Sequence, residues 1–271
     1  GMASASELYP LPLASLVARF DRELAAGGPI FGLAQSAIWR PDPVRSLATT
    51  HFGHPLDTPL GPAAGPHTQL AQNIFAGWLG GARFFELKTV QVLDELELQR
   101  PCIHAPNVGY NVEWSQELRV SQSATEYAKA WLLVHYAAER LALPVGTIFD
   151  LSCGYDLAGI RSEKVASFLR LMQDAAPLLD QLRDRFAIHA PTRISRSITL
   201  STFHGCPAAE IESICAHLLQ VQKLDVVVKL NPTLLGEAGV RALLHDQLGY
   251  TQVTLDSHAF EADLRWEQLL D

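Results

Sequence analysis

Residues 197–214 read SITLSTFHGCPAAEIESI. The run through Phe203 is strand-like, Gly205 and Pro207 break it, and Ile211 and Ile214 restart on helical spacing with Pro207 at the first helical position. A strand that turns sharply into a helix is the repeating half of a βα unit. The same grammar recurs along the chain. Strand-like runs occur at 58–66 (TPLGPAAGP), 82–90 (ARFFELKTV), 146–156 (GTIFDLSCGYD), 225–232 (DVVVKLNP) and, more weakly, 250–255 (YTQVTL). Helical faces lie between them: Leu70, Ile74 and Trp78; Tyr127, Trp131, Val134, Ala138 and Leu141; Ile211, Ile214, Leu218 and Leu219. Alternation of this kind predicts an α/β fold with a parallel sheet.

Composition agrees. Apolar residues make up 48% of the 271 and charged residues only 18%, the balance expected when strands are buried on both faces. With 29 acidic against 21 basic residues the formal charge is -8, which offers nucleic acid no broad electrostatic footprint. No apolar run approaches the roughly 20 residues of a membrane-spanning helix. The four cysteines, Cys102, Cys153, Cys206 and Cys215, include no C-x-x-C pair, so no metal site is expected, and a reduced, cytoplasmic setting is the default.

Ahead of the βα units, residues 11–26 predict an amphipathic helix through Leu13, Leu16, Val17, Phe20 and Leu24, stopping at Gly27-Gly28-Pro29. Prolines at 29, 41, 43, 55 and 59 then suggest an irregular arm. The expected organisation is an N-terminal helix and arm over 1–56 and a partial barrel over 57–271. The stretch PCIHAPNVGYNVEW at 101–114 is an expected active-site loop.

Chemistry gathers at the strand ends. Lys88 and Lys229 sit inside apolar runs just before the turns, where parallel α/β folds bind ligands, and a buried ammonium requires an anion or acceptors. A salt bridge from Lys88 to Glu86 is the structural alternative to ligand binding. Gly61 to Pro66 carries almost no side chain, which suits a closely approaching ring or phosphate, or simply a tight turn. Cys206 falls at a helix N-terminus two residues from His204, a setting that lowers a thiol pKa and fits a general acid/base, or a plain cap. Asp156 can hydrogen-bond a ligand or cap the following helix.

Four segments carry a resemblance: GPAAGPHTQLAQN (61–73), FFELKTVQVLDELELQRPCI (84–103), STFHGCPAAEIESIC (201–215) and VVVKLNPTLLG (226–236). In order and spacing they resemble the flavin-binding barrel of bacterial selenate reductase-type iron–sulfur subunits. More remotely the chain is similar to dihydropyrimidine and dihydroorotate dehydrogenases. The resemblance implies a (β/α)8 TIM-type barrel with FMN across its C-terminal mouth. It implies that Ala64 and Gly65 pass beneath the flavin and that Lys88 and Lys229 contact its ring. Asp156 and Ser201 stand where the remoter family has asparagines, and Asn231 joins the cofactor contacts. Cys206, with His204 beside it, would exchange a proton with substrate carbon.

About six βα units are countable against the eight of a full barrel, so an incomplete barrel is expected, with FMN held weakly and an open edge that favours homo-oligomers. The expected function is an FMN-dependent oxidoreductase domain acting on a small heterocyclic or unsaturated polar substrate. Its electron-transfer partner, an iron–sulfur or FAD domain or subunit, is expected elsewhere, because no ferredoxin-type cysteine run or G-x-G-x-x-G is present. Two other readings stand beside this one: a non-catalytic docking barrel, and a Cys206–His204 hydrolase that lacks an orienting partner.

Overall fold

A computed structural model describes residues 8–90, 92–93, 118–201 and 207–270. The expected leading helix, α1 (Leu13–Ala26), buries Leu13, Leu16, Val17 and Phe20 and ends where Gly27 turns left-handed at φ 70°. The arm holds more order than its prolines suggest. Strands β1 (Thr49–His51) and β2 (His54–Leu56) pair antiparallel around Phe52 and Gly53, both at positive φ (49° and 76°), the conformation of a two-residue hairpin turn. Pro55 is tolerated because this ribbon is only two strands wide.

The barrel wall follows. Strands β3 (Phe84–Glu86), β4 (Ile148–Cys153), β5 (Ser197–Ser201) and β6 (Asp225–Lys229) form one parallel sheet in sequence order. Helices α2 (Ala71–Leu79), α3 (Val120–Leu141), α5 (Glu163–Gln173) and α7 (Ala208–Ala216), with the short α4 (Leu157–Ile160) and α6 (Ala176–Arg183), connect the strands. Phe85, Phe149, Leu151, Cys153, Ile198 and Leu200 share the main apolar core with these helices. Phe149 stands edge-on between Phe85 (5.6 Å) and Trp131 of α3 (5.1 Å). The result is an arc of a (β/α) barrel, the incomplete form the sequence predicts.

Two expected strands differ. The 58–66 run lies beside β3 but forms only part of a ladder: Leu60 O accepts from the N–H groups of Arg83 (2.8 Å) and Phe84 (3.1 Å), and Pro62 O from Glu86 (3.2 Å). Pro59, Pro62 and Pro66 lack the donors to answer back. The 250–255 run is not a strand. It turns, with Val253 N–H donating to Tyr250 O at 3.1 Å, and both side chains are exposed, so its alternation has no sheet to pack on.

A buried pair ties the N-terminal segment to the wall. Glu126 and Lys129 of α3 meet as an ion pair, and Lys129 Nζ also donates to Leu11 O at 2.8 Å. Burial holds the Glu126 carboxyl above its ordinary range, with Lys129 pulling the other way.

Candidate active site

Side chains alternate across each strand, so Phe85 and Leu151 face the helices while Phe84, Glu86, Asp150, Thr199, Val227 and Lys229 face the bore. That inner face is strongly polar. Register places Glu86 beside Asp150, Ser152 beside Thr199, and Ser201 beside Lys229. Lys229 Nζ contacts both Glu86 carboxylate oxygens, at 2.8 and 3.1 Å. Glu86 is nearly buried and the Lys229 side chain is 48% exposed, so the pair bridges from wall to opening. A cavity of about 570 Å³ lies alongside, bounded by this pair, Thr199, Gly61 and the β1–β2 hairpin, within the range that holds a small molecule or part of a cofactor.

Below the pair, Ser197 Oγ donates to Asp150 Oδ1 at 2.6 Å and Thr199 Oγ1 donates to Oδ2. Asp150 is fully buried, and burial first, with the Glu86 charge adding to it, pushes its carboxyl up to about 6 despite the two hydroxyl donors. The folded state therefore holds the Asp150 proton more tightly than the unfolded chain, whose carboxyl titrates near 3.8. Between these values stability falls as pH rises, by up to about 3 kcal/mol from this group, and is level above them. Asn at position 150 removes the dependence. In urea melts, the stability of Asp150→Asn relative to the parent should rise between pH 4 and pH 7 and then plateau; a flat or falling difference would contradict a raised carboxyl.

The residues singled out from sequence are dispersed. Lys229 lines the bore cavity as expected, but Lys88 does not line it, and the lysine that meets Glu86 is Lys229, from the far strand. Lys88 is 4% exposed; its N–H donates to Thr68 O, and its carbonyl accepts from Tyr127 Oη at 2.9 Å. Asp156 caps α4, accepting from Gly159 N–H at 2.8 Å. Gly65 is buried and extended, its N–H held by Thr68 Oγ1, and Ala64 is half-buried beside it. Ser201 ends β5 half-buried, and Asn231 opens the turn after β6. The Cys153 thiol points into the helix layer, and burial pushes it up to about 12. His204, Cys206 and the 101–114 loop lie outside the described residues. The sequence reading missed Asp150, Ser197 and Thr199. Their signal was the polar residue at every second position of FDLSC and SITLS, inside runs otherwise apolar.

Comparison with known proteins places this arrangement. Residues 31–271 match the family described as "Oxidoreductase YgfK, N-terminal TIM-barrel domain". The chain belongs to this family. Two curated relatives, both named "Putative oxidoreductase YgfK" and coming from Escherichia coli K12 and O157:H7, are each 40% identical over 295 aligned positions, covering 97% of the chain. The chain spans 28% of the length of each. Membership of the YgfK N-terminal family agrees with the barrel arc. No described helix is long and apolar enough to cross a membrane.

Proposed function

We propose that this domain binds FMN at the C-terminal side of its sheet and takes part in redox chemistry on a small heterocyclic or unsaturated polar substrate, within a larger reductase that supplies an iron–sulfur or FAD partner. The observation that carries the reading is the Lys229–Glu86 pair, a cation held at a strand end on the rim of a cavity large enough for a ring system. The residues fit such a group. Lys229 would face the electron-rich edge of the ring, Glu86 would fix the ammonium, and the nearly bare 61–65 segment would let the ring approach the backbone. When bound, the flavin supplies hydride exchange at N5. Ser201, the register neighbour of Lys229, would orient substrate. On the resemblance, Cys206 holds or moves the proton at substrate carbon with His204 beside it.

The docking alternative has its own support, since Asp156 and Lys229 already have partners within the domain. Titration with FMN, followed by quenching of flavin fluorescence, separates the two readings. Saturable binding that weakens about tenfold or more in Lys229→Met, with melting unchanged, is expected from the cofactor reading. Absence of saturation, or equal binding by the variant, would favour docking.

A further inference from the structure

The opposite end of the sheet holds a second cavity, of about 210 Å³, between the β1–β2 hairpin, the start of β4 and the loop that enters β5. Its polar lining is uneven for a chain in which acids outnumber bases. His51, His54, Arg193 and Arg196 line it, and no acidic side chain does so among the described residues. Its remaining walls are largely apolar, with Trp131, Phe149 and Ile194 prominent. His51, which lines this cavity, has its Nε2 buried without a hydrogen-bond partner among the described residues.

The arginines sit on fixed backbone. Ile194 and Ser195 N–H both donate to Met172 O at 3.0 Å, Ala175 N–H donates to Thr192 O at 2.8 Å, and Trp131 Nε1 donates to Pro191 O at 2.9 Å. The hairpin side is pinned by Asp57 N–H to Gly146 O at 2.9 Å. Arg193 makes one long bond, Nε to Ser195 O at 3.4 Å, and Arg196 is exposed. Two guanidinium groups on a preorganised loop, with imidazoles opposite and aromatic walls between, match an anionic group attached to a small apolar body.

We infer that this N-terminal face is a binding site for a small organic anion, an apolar body carrying one carboxylate or phosphate, distinct from the bore cavity. The volume falls below the 300–1,000 Å³ of drug-sized pockets, which restricts the ligand to a single ring or its equivalent. Ser197 lines this cavity and donates to Asp150, and His51 lines both cavities, so the site touches the bore through two side chains.

The test uses the whole chain and ligand-observed NMR with benzoate, phenyl phosphate and neutral benzyl alcohol. Saturable binding of at least one anion at about 1 mM or tighter is expected, with benzyl alcohol at least tenfold weaker. Benzoate against phenyl phosphate decides which head group the arginines prefer. Arg196→Gln and Arg193→Gln should each weaken the anion about tenfold or more, with thermal melting confirming that both variants fold, while Lys229→Met should leave it unchanged. Failure of both anions to saturate by about 10 mM, equal binding of the alcohol, indifference to both arginine variants, or loss of binding in Lys229→Met would overturn the assignment.

Discussion

Alanine at Gly61 is expected to break the barrel wall. A Cβ built there lies 1.3 Å from the carbonyl oxygen of Phe84 and 2.4 Å from its carbonyl carbon, which are backbone atoms of β3 that no rotamer change can move aside. The neighbouring contacts, Phe84 N–H to Leu60 O and Glu86 N–H to Pro62 O, hold the two segments together on either side. Relief of the clash must therefore part the segment from the strand, at a cost beyond the roughly 3 kcal/mol that overpacking usually reaches. Gly65→Ala is the control: the atoms nearest its Cβ belong to the His67 ring, the first at 2.7 Å, and that side chain is exposed and can swing away. Circular-dichroism melts should show Gly61→Ala lowered by about 6 °C or more and Gly65→Ala nearly unchanged. Similar small shifts in both would mean the wall yields more easily than its geometry indicates.

Arg83→Met should be comparably damaging, for a chemical rather than a steric reason. The guanidinium is completely buried; Nη1 donates to Trp78 O at 2.6 Å and Ala82 O at 2.9 Å, while Nε meets Asp57 Oδ2 at 3.2 Å. It lies over Trp78 (4.3 Å) and Trp39 (4.9 Å), joining the arm to α2 through two aromatic faces. Methionine fills much of the space but leaves the Asp57 carboxylate, already raised by burial, without its counter-charge. Removing one partner of a buried pair typically costs about 3–5 kcal/mol. Asp57→Asn in the same chain should recover part of that loss, because the orphaned charge is gone. Chemical denaturation of the two single variants and the double variant measures the coupling; a single-variant loss under about 1 kcal/mol, or strict additivity, would argue against an essential pair.

What could be read from sequence follows from which forces leave a local trace. Helix α1 and the four sheet strands announced themselves because burial selects apolar residues at fixed periods, as in Leu13, Leu16, Val17 and Phe20 or in FFEL and VVVK. The same rule misled at 250–255, where Tyr250 and Val253 are exposed and no sheet receives them. The hairpin stayed hidden because its turn depends on a positive φ at Phe52, which residue type does not advertise. At the site, strand-end position drew attention to Lys229, and its side chain lines the bore cavity. Its partner could not be read, since Glu86 is as close in sequence to Lys88 as it is remote from Lys229, and only the curvature of the sheet chooses between them. Asp150 was legible in principle: a lone acid in a buried strand needs donors, and the hydroxyls that supply them stand two apart on the next strand.

Strand order that follows chain order has a consequence for how the domain is made. Each strand from β4 to β6 pairs with the one synthesised before it, so each finds its template already in place as it emerges from the ribosome, and none must wait for a later strand to arrive between two earlier ones. Assembly can proceed as vectorial growth, with loop-closure entropy met in small instalments rather than at once. The exception is the Glu86–Lys229 bridge, whose partners are 143 residues apart. It forms only once β6 is laid down, which makes it a latch across the two ends of the four-stranded arc.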